Sequence, residues 1–261
     1  MTDLVTLLDA AHAAVSADPE SETLRLRFFE RLADGEMVLL LEREAVGETL
    51  EPRIFDLEEG PFVLVFDREE RLAAFTGGIA PYAALPGRVI AGMLKGQGIG
   101  LGVNLGVAPS SMLLPAEAMD WLAVTLQEGP EEVEALPEEF VVPRVPEVLV
   151  SALDAKLARA EGLAVAALLA GVVYRDGRRG HMLAFLDAVE GAEGALARAM
   201  GEALVFSGIE AGELDVAFLR QGDAAAKAMA RVGLRFDLPV REVPVAPAAP
   251  GMDPARPPNL R

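Results

Sequence analysis

Residues 128–146 hold four prolines and six glutamates, and this stretch limits the folds that the chain can adopt. Proline lacks a backbone N–H group and like charges repel, so the composition favours an extended linker over a packed element. The linker separates residues 1–127 from residues 147–240. Each of these parts is long enough to form its own hydrophobic core, and we therefore predict two domains.

The first part changes from helical to strand periodicity along its length. Apolar residues spaced three and four apart predict two amphipathic helices, over residues 3–17 and 21–33. Beyond Gly35, short apolar runs separated by glycine and proline predict a mixture of strands and helices. These are strands Met37–Leu41, Arg53–Leu57 and Phe62–Phe66, helix Arg68–Phe75, a helix ending near Lys95, strands in the glycine-rich segment and over Ser111–Leu114, and a helix over 116–126.

The second part repeats the alternation of helices and strands. The predicted elements are a helix from Val148 to about Ala160, strands Ala164–Tyr174 and Gly180–Asp187, a helix over Gly194–Phe206, strand Leu214–Leu219, helix Ala224–Val232 and strand Leu234–Phe236. The proline-rich residues 241–261 lack apolar periodicity and predict a disordered tail. The sequence thus predicts an α+β (mixed α/β) fold of two compact units joined by an acidic, proline-rich linker.

The segment KGQGIGLGVNLG, residues 95–106, contains five glycines. It is not a phosphate-binding P-loop, because Lys95 precedes the glycines instead of following them. It is not a dinucleotide-binding Gly-x-Gly-x-x-Gly motif either, because an apolar residue always occupies the required third position. Its alternation predicts a strand with Ile99, Leu101, Val103 and Leu105 on one face, and Gly98, Gly100, Gly102 and Asn104 on the other.

A strand face without side chains has two interpretations. Glycine in a strand usually marks the close approach of another part of the same protein, and we favour this interpretation. The alternative is a groove for a ligand. In that case the candidate ligand-binding residues are Gly98, Gly100, Gly102 and Asn104.

The composition excludes several kinds of chemistry and partner. The net charge of −18 should repel nucleic acid and anionic membrane surfaces. Without cysteine, the chain cannot form disulfides, thiolate nucleophiles or cysteine-ligated metal sites. No run of about 18 apolar residues predicts a membrane span, and the start of the chain lacks the pattern of a signal peptide. We therefore expect a cytoplasmic protein.

The sequence contains no arrangement of residues that is typical of a catalytic or metal site. Its two histidines, His12 and His181, lie in different units without a second histidine or a carboxylate at metal-binding spacing, and we interpret both as structural. Ser110 follows a proline outside any nucleophile motif, and we interpret it as a turn cap. Trp121 is predicted to pack in the core of the first unit. We expect no catalytic residues, no metal and no cofactor.

Several segments together resemble the bacterial SseB family, the enhanced serine sensitivity proteins. In the first part they are Phe28-Phe29, the strand Pro61–Asp67 with the short helix after it, and the strand Gly98–Gly106. In the second part they are the segment Ala167–Tyr174, the Asp176-Gly177 turn and the segment His181–Phe185. The resemblance covers roughly residues 1–240.

The resemblance implies an N-terminal and a C-terminal SseB domain and a connection with amino-acid physiology, but it supplies no catalytic residues. We therefore expect a non-enzymatic protein that interacts with an unidentified protein partner or has a regulatory role. The alternative is a small-ligand sensor or enzyme, for instance for an amino acid, that uses the glycine-rich strand face. The sequence predicts neither the oligomeric state nor the docking of the two units.

Overall fold

The computed structural model describes residues 5–47, 49–127, 129, 136–208 and 214–240. In the first unit, short helices and strands alternate as the sequence predicts. The elements are α1 (Leu7–Ala17), α2 (Glu22–Asp34), β1 (Glu36–Leu40), β2 (Ile54–Leu57), β3 (Gly60–Phe66), α3 (Glu69–Thr76), β4 (Tyr82–Pro86), α4 (Gly87–Leu94), β5 (Gly100–Val103), β6 (Met112–Leu114) and α5 (Ala116–Gln127).

Local sequence signals fix several of these boundaries. Thr6 precedes α1, and its hydroxyl accepts a hydrogen bond from the backbone amide of Asp9, whose carboxylate accepts one from the Thr6 amide. This reciprocal capping box satisfies two amide groups that a helix start leaves unpaired. At the other end of a helix, Gly77 terminates α3 in the left-handed conformation, with φ of 74°.

The first unit is a six-stranded mixed sheet covered on both faces. Its strand order is β4-β1-β3-β5-β6, and β2 pairs with β3 beside β1; only β3 and β5 run parallel. Alternate residues of the strands point to opposite faces. One face packs against α1, α2, α4 and α5 in the larger core, whereas the other packs against α3 in a smaller core around Leu64 and Phe66.

The second unit is built around a long antiparallel hairpin whose turn contains Asp176 and Gly177. Its elements are β7 (Pro137–Val141), α6 (Glu147–Leu157), β8 (Ala166–Tyr174), β9 (Arg179–Leu186), α7 (Glu193–Phe206), β10 (Leu214–Leu219), α8 (Ala224–Val232) and β11 (Leu234–Asp237). The strand order is β10-β9-β8-β11, with β7 beside the second half of β8. Helices α6 and α7 cover one face, and α8 covers the other.

Strand β7 corrects the prediction of a linker over residues 128–146. Pro137–Val141 pairs antiparallel with β8 and so belongs to the second sheet. Proline is compatible with the first residue of an edge strand, and the exposed Glu138 and Glu139 are compatible with a strand that is open to solvent on one side. The other predicted elements are found with small shifts of their ends, and the α+β fold of two units is confirmed. The predicted tail, residues 241–261, lies outside the described residues.

The two units contact each other through α2 and α4 of the first and α6 and α7 of the second. Among the residues that the structure describes, none of the helices has the length and apolar character required to cross a membrane.

Candidate functional site

The glycine face of β5 is filled by side chains of the first unit. A Cβ atom added to Gly100 would lie 2.4 Å from Cε1 of Phe62 and 2.7 Å from the carbonyl oxygen of Leu114. One added to Gly102 would lie 2.5 Å from Cδ2 of Leu64. Both glycines are buried. Close internal packing, the interpretation that the sequence favours, therefore accounts for them, and no open space remains there for a ligand.

The other two ligand-binding candidates do not extend this face into a groove. Gly98 lies before β5, with φ of 66°, and is exposed. Asn104 follows β5, with φ of 47°, and this left-handed conformation ends the strand. The predicted alternation fails from here on, because Leu105 packs beside Gly102 in the smaller core instead of joining Leu101 and Val103.

Asn104 instead belongs to a buried polar cluster beside α1. We call this group the Asp9 cluster; its members are Thr6, Asp9, Asp67, Arg71, Asn104 and Ser110. The Ser110 hydroxyl donates to Oδ1 of Asp9 at 2.6 Å and accepts from Nδ2 of Asn104 at 2.8 Å. The Asp67 backbone amide donates to Oδ1 of Asn104 at 3.1 Å. These bonds connect the end of β5 with the end of β3.

The charges of the Asp9 cluster are paired internally. The guanidinium of Arg71 donates to Asp9 and, at 2.8 Å, to Oδ1 of Asp67. Burial opposes ionisation of Asp9, but the bonds from Arg71, Ser110 and Thr6 outweigh it and hold the pKa of this carboxyl well below its usual range. Asp9 is 2% exposed and Ser110 0%, so a substrate cannot reach them. The cluster is a structural element of the first unit.

The second unit contains a sizeable cavity. It is a half-open groove of about 670 Å³ between the sheet and the segment that connects β7 to α6. We call it the β7 groove. It is lined by Glu139, Val141, Val142, Arg144, Val145, Pro146, Leu149, Gly171, Val172, Val173, Arg179, Gly180, His181 and Leu214. Its volume falls within the range of about 300–1,000 Å³ that is usual for ligand clefts.

The register of the strands arranges most of the groove floor in two rows across the sheet. One row consists of Glu139, Val173 and Arg179, from β7, β8 and β9. The next consists of Val141, Gly171, His181 and Leu214. Residues two apart on a strand point to the same face, so both rows lie on the face that α6 and α7 cover elsewhere. The groove lies on the part of this sheet face that extends past the N-terminal end of α6.

His181 connects the sheet to the segment above it. Its Nε2 accepts a hydrogen bond from the backbone amide of Arg144 at 3.3 Å, which leaves Nδ1 to carry the proton of the neutral ring. Burial lowers the pKa of this imidazole. At neutral pH His181 is therefore an uncharged donor at the groove, whereas the exposed Arg144 and Arg179 supply positive charge.

A second group of charges lies between the two units. We call it the interface cluster. It consists of Glu30 and Asp34 of α2, Arg88 of α4, Lys156 of α6, Arg159 shortly after α6, and Glu202 of α7. Nζ of Lys156 lies 2.7 Å from Oδ2 of Asp34 and 2.9 Å from Oε2 of Glu202. Arg88 bonds both of these carboxylates as well. The cluster joins the two units through buried ion pairs.

The carboxylates of the interface cluster differ in the direction in which their pKa values are shifted. Burial opposes ionisation of Asp34 and Glu202, but their bonds to Lys156 and Arg88 outweigh it and lower both pKa values. Burial raises the pKa of Glu30, and the opposing effect of Lys156, whose Nζ lies 3.7 Å from Oε1, does not outweigh it because this oxygen has no hydrogen-bond partner. Glu30 is therefore the one carboxyl group of the cluster whose charged form the surroundings disfavour.

Sequence reasoning missed the main parts of this arrangement. The β7 groove was not predicted, because residues 128–146, which include part of its lining, were predicted to form a linker. Trp121 was predicted to pack in the core of the first unit, but it is 39% exposed, and its ring contacts Phe29 of the first unit and Phe206 of the second, at 5.1 and 6.4 Å between ring centroids. In the described residues, no group of three or more histidine and acidic side chains could hold a metal ion.

The chain matches no family model, and neither a curated protein nor a solved structure is detectably similar to it.

Proposed function

We propose that this chain is a non-enzymatic binding protein of the SseB type, with an interaction or regulatory role, and that the β7 groove takes up a segment of a partner protein. The observation that carries the proposal is the groove itself, which combines an apolar floor with charged residues at its rim. A mainly apolar cleft with a small number of precisely placed polar groups is typical of binding sites.

The exposure of its border supports the proposal. Val142 is 66% exposed and Val141 38%, although both are aliphatic and lie next to a cleft. Strand β7 pairs only with β8 among the described strands, so its outer edge offers backbone groups to a partner. Apolar side chains beside a free strand edge are the elements that peptide-binding sheets use.

The alternative of an amino-acid sensor at the glycine face has less support, because Phe62 and Leu64 occupy the space beside Gly100 and Gly102. The SseB assignment rests on the sequence segments that resemble the family, and it carries the connection with serine sensitivity. The net charge of −18 supports a protein partner over nucleic acid or an anionic membrane, and a cytoplasmic location is part of the proposal.

Site-specific crosslinking tests the proposal. The photoreactive residue p-benzoylphenylalanine is placed at Val142, and the protein is irradiated in an extract of its native host. The control carries the same residue at Ile79, which is fully exposed in the first unit. We expect a discrete adduct with one protein from position 142 and none from position 79. Identical adducts from both positions, or reproducible turnover of a substrate by the pure protein, would contradict the proposal.

A further inference from the structure

Two arginines line the β7 groove together with His181. Arg179 and His181 lie two residues apart on β9 and therefore point to the same face, and His181 in turn bonds the backbone of Arg144. Within the described residues, neither Arg144 nor Arg179 forms an ion pair. Two arginines without an ion pair in one groove are an unusual feature in a chain with a net charge of −18.

We propose that the β7 groove recognises the free carboxyl terminus of a partner protein that ends in an apolar residue, with Arg144 and Arg179 binding the terminal carboxylate. This inference rests on the proposed function and identifies the part of the partner that is bound.

The charge of the groove indicates a carboxylate. Its lining contains two arginines against one acidic residue, Glu139, which reverses the sign of the chain as a whole. The planar guanidinium group matches a carboxylate in geometry and forms two parallel hydrogen bonds with it. Nδ1 of the neutral His181 adds an uncharged donor.

The floor of the groove indicates the residue that carries the carboxylate. Val141, Val173 and Leu214 lie on the sheet face in the two rows, and Leu149 of α6 closes one side. Gly171 lies between Val141 and His181. Because it has no side chain, β7 can lie close to β8 at this point, and an added Cβ would lie 2.8 Å from Cγ2 of Val141. An aliphatic side chain next to the carboxylate would be desolvated here.

The strand edge indicates a protein as the source of the carboxylate. A peptide backbone can pair with the outer edge of β7 while its last side chain enters the groove, which combines strand addition with capture of the terminus. A small fatty acid would use the floor and the arginines but not the strand edge. The peptide is therefore the occupant that uses every feature of the groove.

Fluorescence polarisation with the full chain tests the inference. The probes are fluorescein-labelled hexapeptide pools that end in Val or Leu with a free carboxylate, and the same pools with an amidated end. We expect the free acids to bind between about 10- and 100-fold more tightly, the range for a charged hydrogen-bonded pair. Equal binding of the amides, or no binding of either pool, would overturn the inference. An adduct at Val142 would still support the proposed function in both cases.

Two variants locate the bound carboxylate. Arg144→Gln and Arg179→Gln should each lose about tenfold or more of the affinity for the free acid and leave the binding of the amide unchanged. Arg235→Gln is the matched control, since Arg235 is exposed on β11 and pairs with Asp237. Unchanged affinity in both groove variants would overturn the inference. Displacement of the peptide by octanoate at the same concentration as by unlabelled peptide would overturn the choice of a protein terminus.

Discussion

Phe206, at the end of α7, packs edge-on against Trp121 of α5, with their ring centroids 6.4 Å apart, although the two residues belong to different units. Phe206 is 1% exposed and lies in the same core cluster as the residues of the first sheet. The ring of Trp121 also contacts Phe29 at 5.1 Å. The two units therefore share part of one hydrophobic core, in addition to the ion pairs of the interface cluster.

Phe206→Ala should weaken this shared core. Truncation of a buried phenylalanine costs about 3–5 kcal/mol of unfolding free energy, because it loses buried area and leaves a cavity. Trp121 is the single tryptophan of the chain, so its fluorescence reports on the contact, and we expect emission at longer wavelength as water enters. Phe218→Ala, at a half-exposed site on β10, is the control and should leave the emission unchanged. Unaltered emission in Phe206→Ala would contradict the shared core.

Glu30→Gln and Glu202→Gln should have opposite effects on stability. The pKa of Glu30 is raised, so its protonated carboxyl group is favoured in the folded protein at low pH, and this contribution is lost as the pH rises through the folded-state value. The Gln variant lacks this loss and should equal or exceed the parent by about 1 kcal/mol at neutral pH. Glu202→Gln weakens bonds to Arg88 and Lys156 and should cost about 1.5–3 kcal/mol.

Urea unfolding at about pH 5 and about pH 8 distinguishes the two variants. The advantage of Glu30→Gln over the parent should grow between these values, because only the parent carries the titrating group. A Glu30→Gln variant that is clearly less stable than the parent at the higher pH would show that Lys156 holds this carboxylate in its charged form.

The predictable part of the fold is the part that neighbouring residues determine. Periodicity located the helices and most strands, since side chains three and four apart share a helix face and side chains two apart share a strand face. The pairing of Lys156 with Asp34 could not be found, because these residues are 122 positions apart and each resembles an ordinary charged position on a helix surface. Only the packing of α2 against the second unit buries them.

The groove was missed for a related reason. The prolines and glutamates of residues 128–146 are typical of a linker, but an edge strand tolerates the same residues, since it exposes one side to solvent. The sequence does not distinguish a linker from an edge strand here, because the outcome depends on whether the second half of β8 has a free edge with which residues 137–141 can pair. Asn104 was placed on the correct segment, yet its hydrogen-bond partners Asp67 and Ser110, and Asp9 to which Ser110 donates, come from other places in the chain.

Gly100→Val should destabilise the first unit without a role for any ligand. The new side chain would collide with Phe62 and with the Leu114 carbonyl oxygen, and overpacking of this kind costs about 1–3 kcal/mol or more. Gly92→Ala is the matched control, since Gly92 is exposed in α4 with open space around it, and it should stabilise the helix by up to about 1 kcal/mol. Thermal unfolding measures both. A Gly100→Val protein as stable as the parent would mean that the glycine face is open.

Asp9→Asn should change how stability depends on acid. The pKa of Asp9 is held below its ordinary value of 3.8, so the stability it contributes is present above that value and is lost as the pH falls through the lower folded-state value. The variant leaves Arg71 without one of its buried partners, and at neutral pH it should be less stable by about 3–5 kcal/mol. Its unfolding free energy should then fall less steeply than that of the parent as the pH is lowered from about 5 to about 2, because the titrating carboxyl is gone. Asp56→Asn, on the exposed strand β2, should follow the parent curve throughout. Parallel curves for Asp9→Asn and the parent would show that the Asp9 cluster is not ionised in the folded protein.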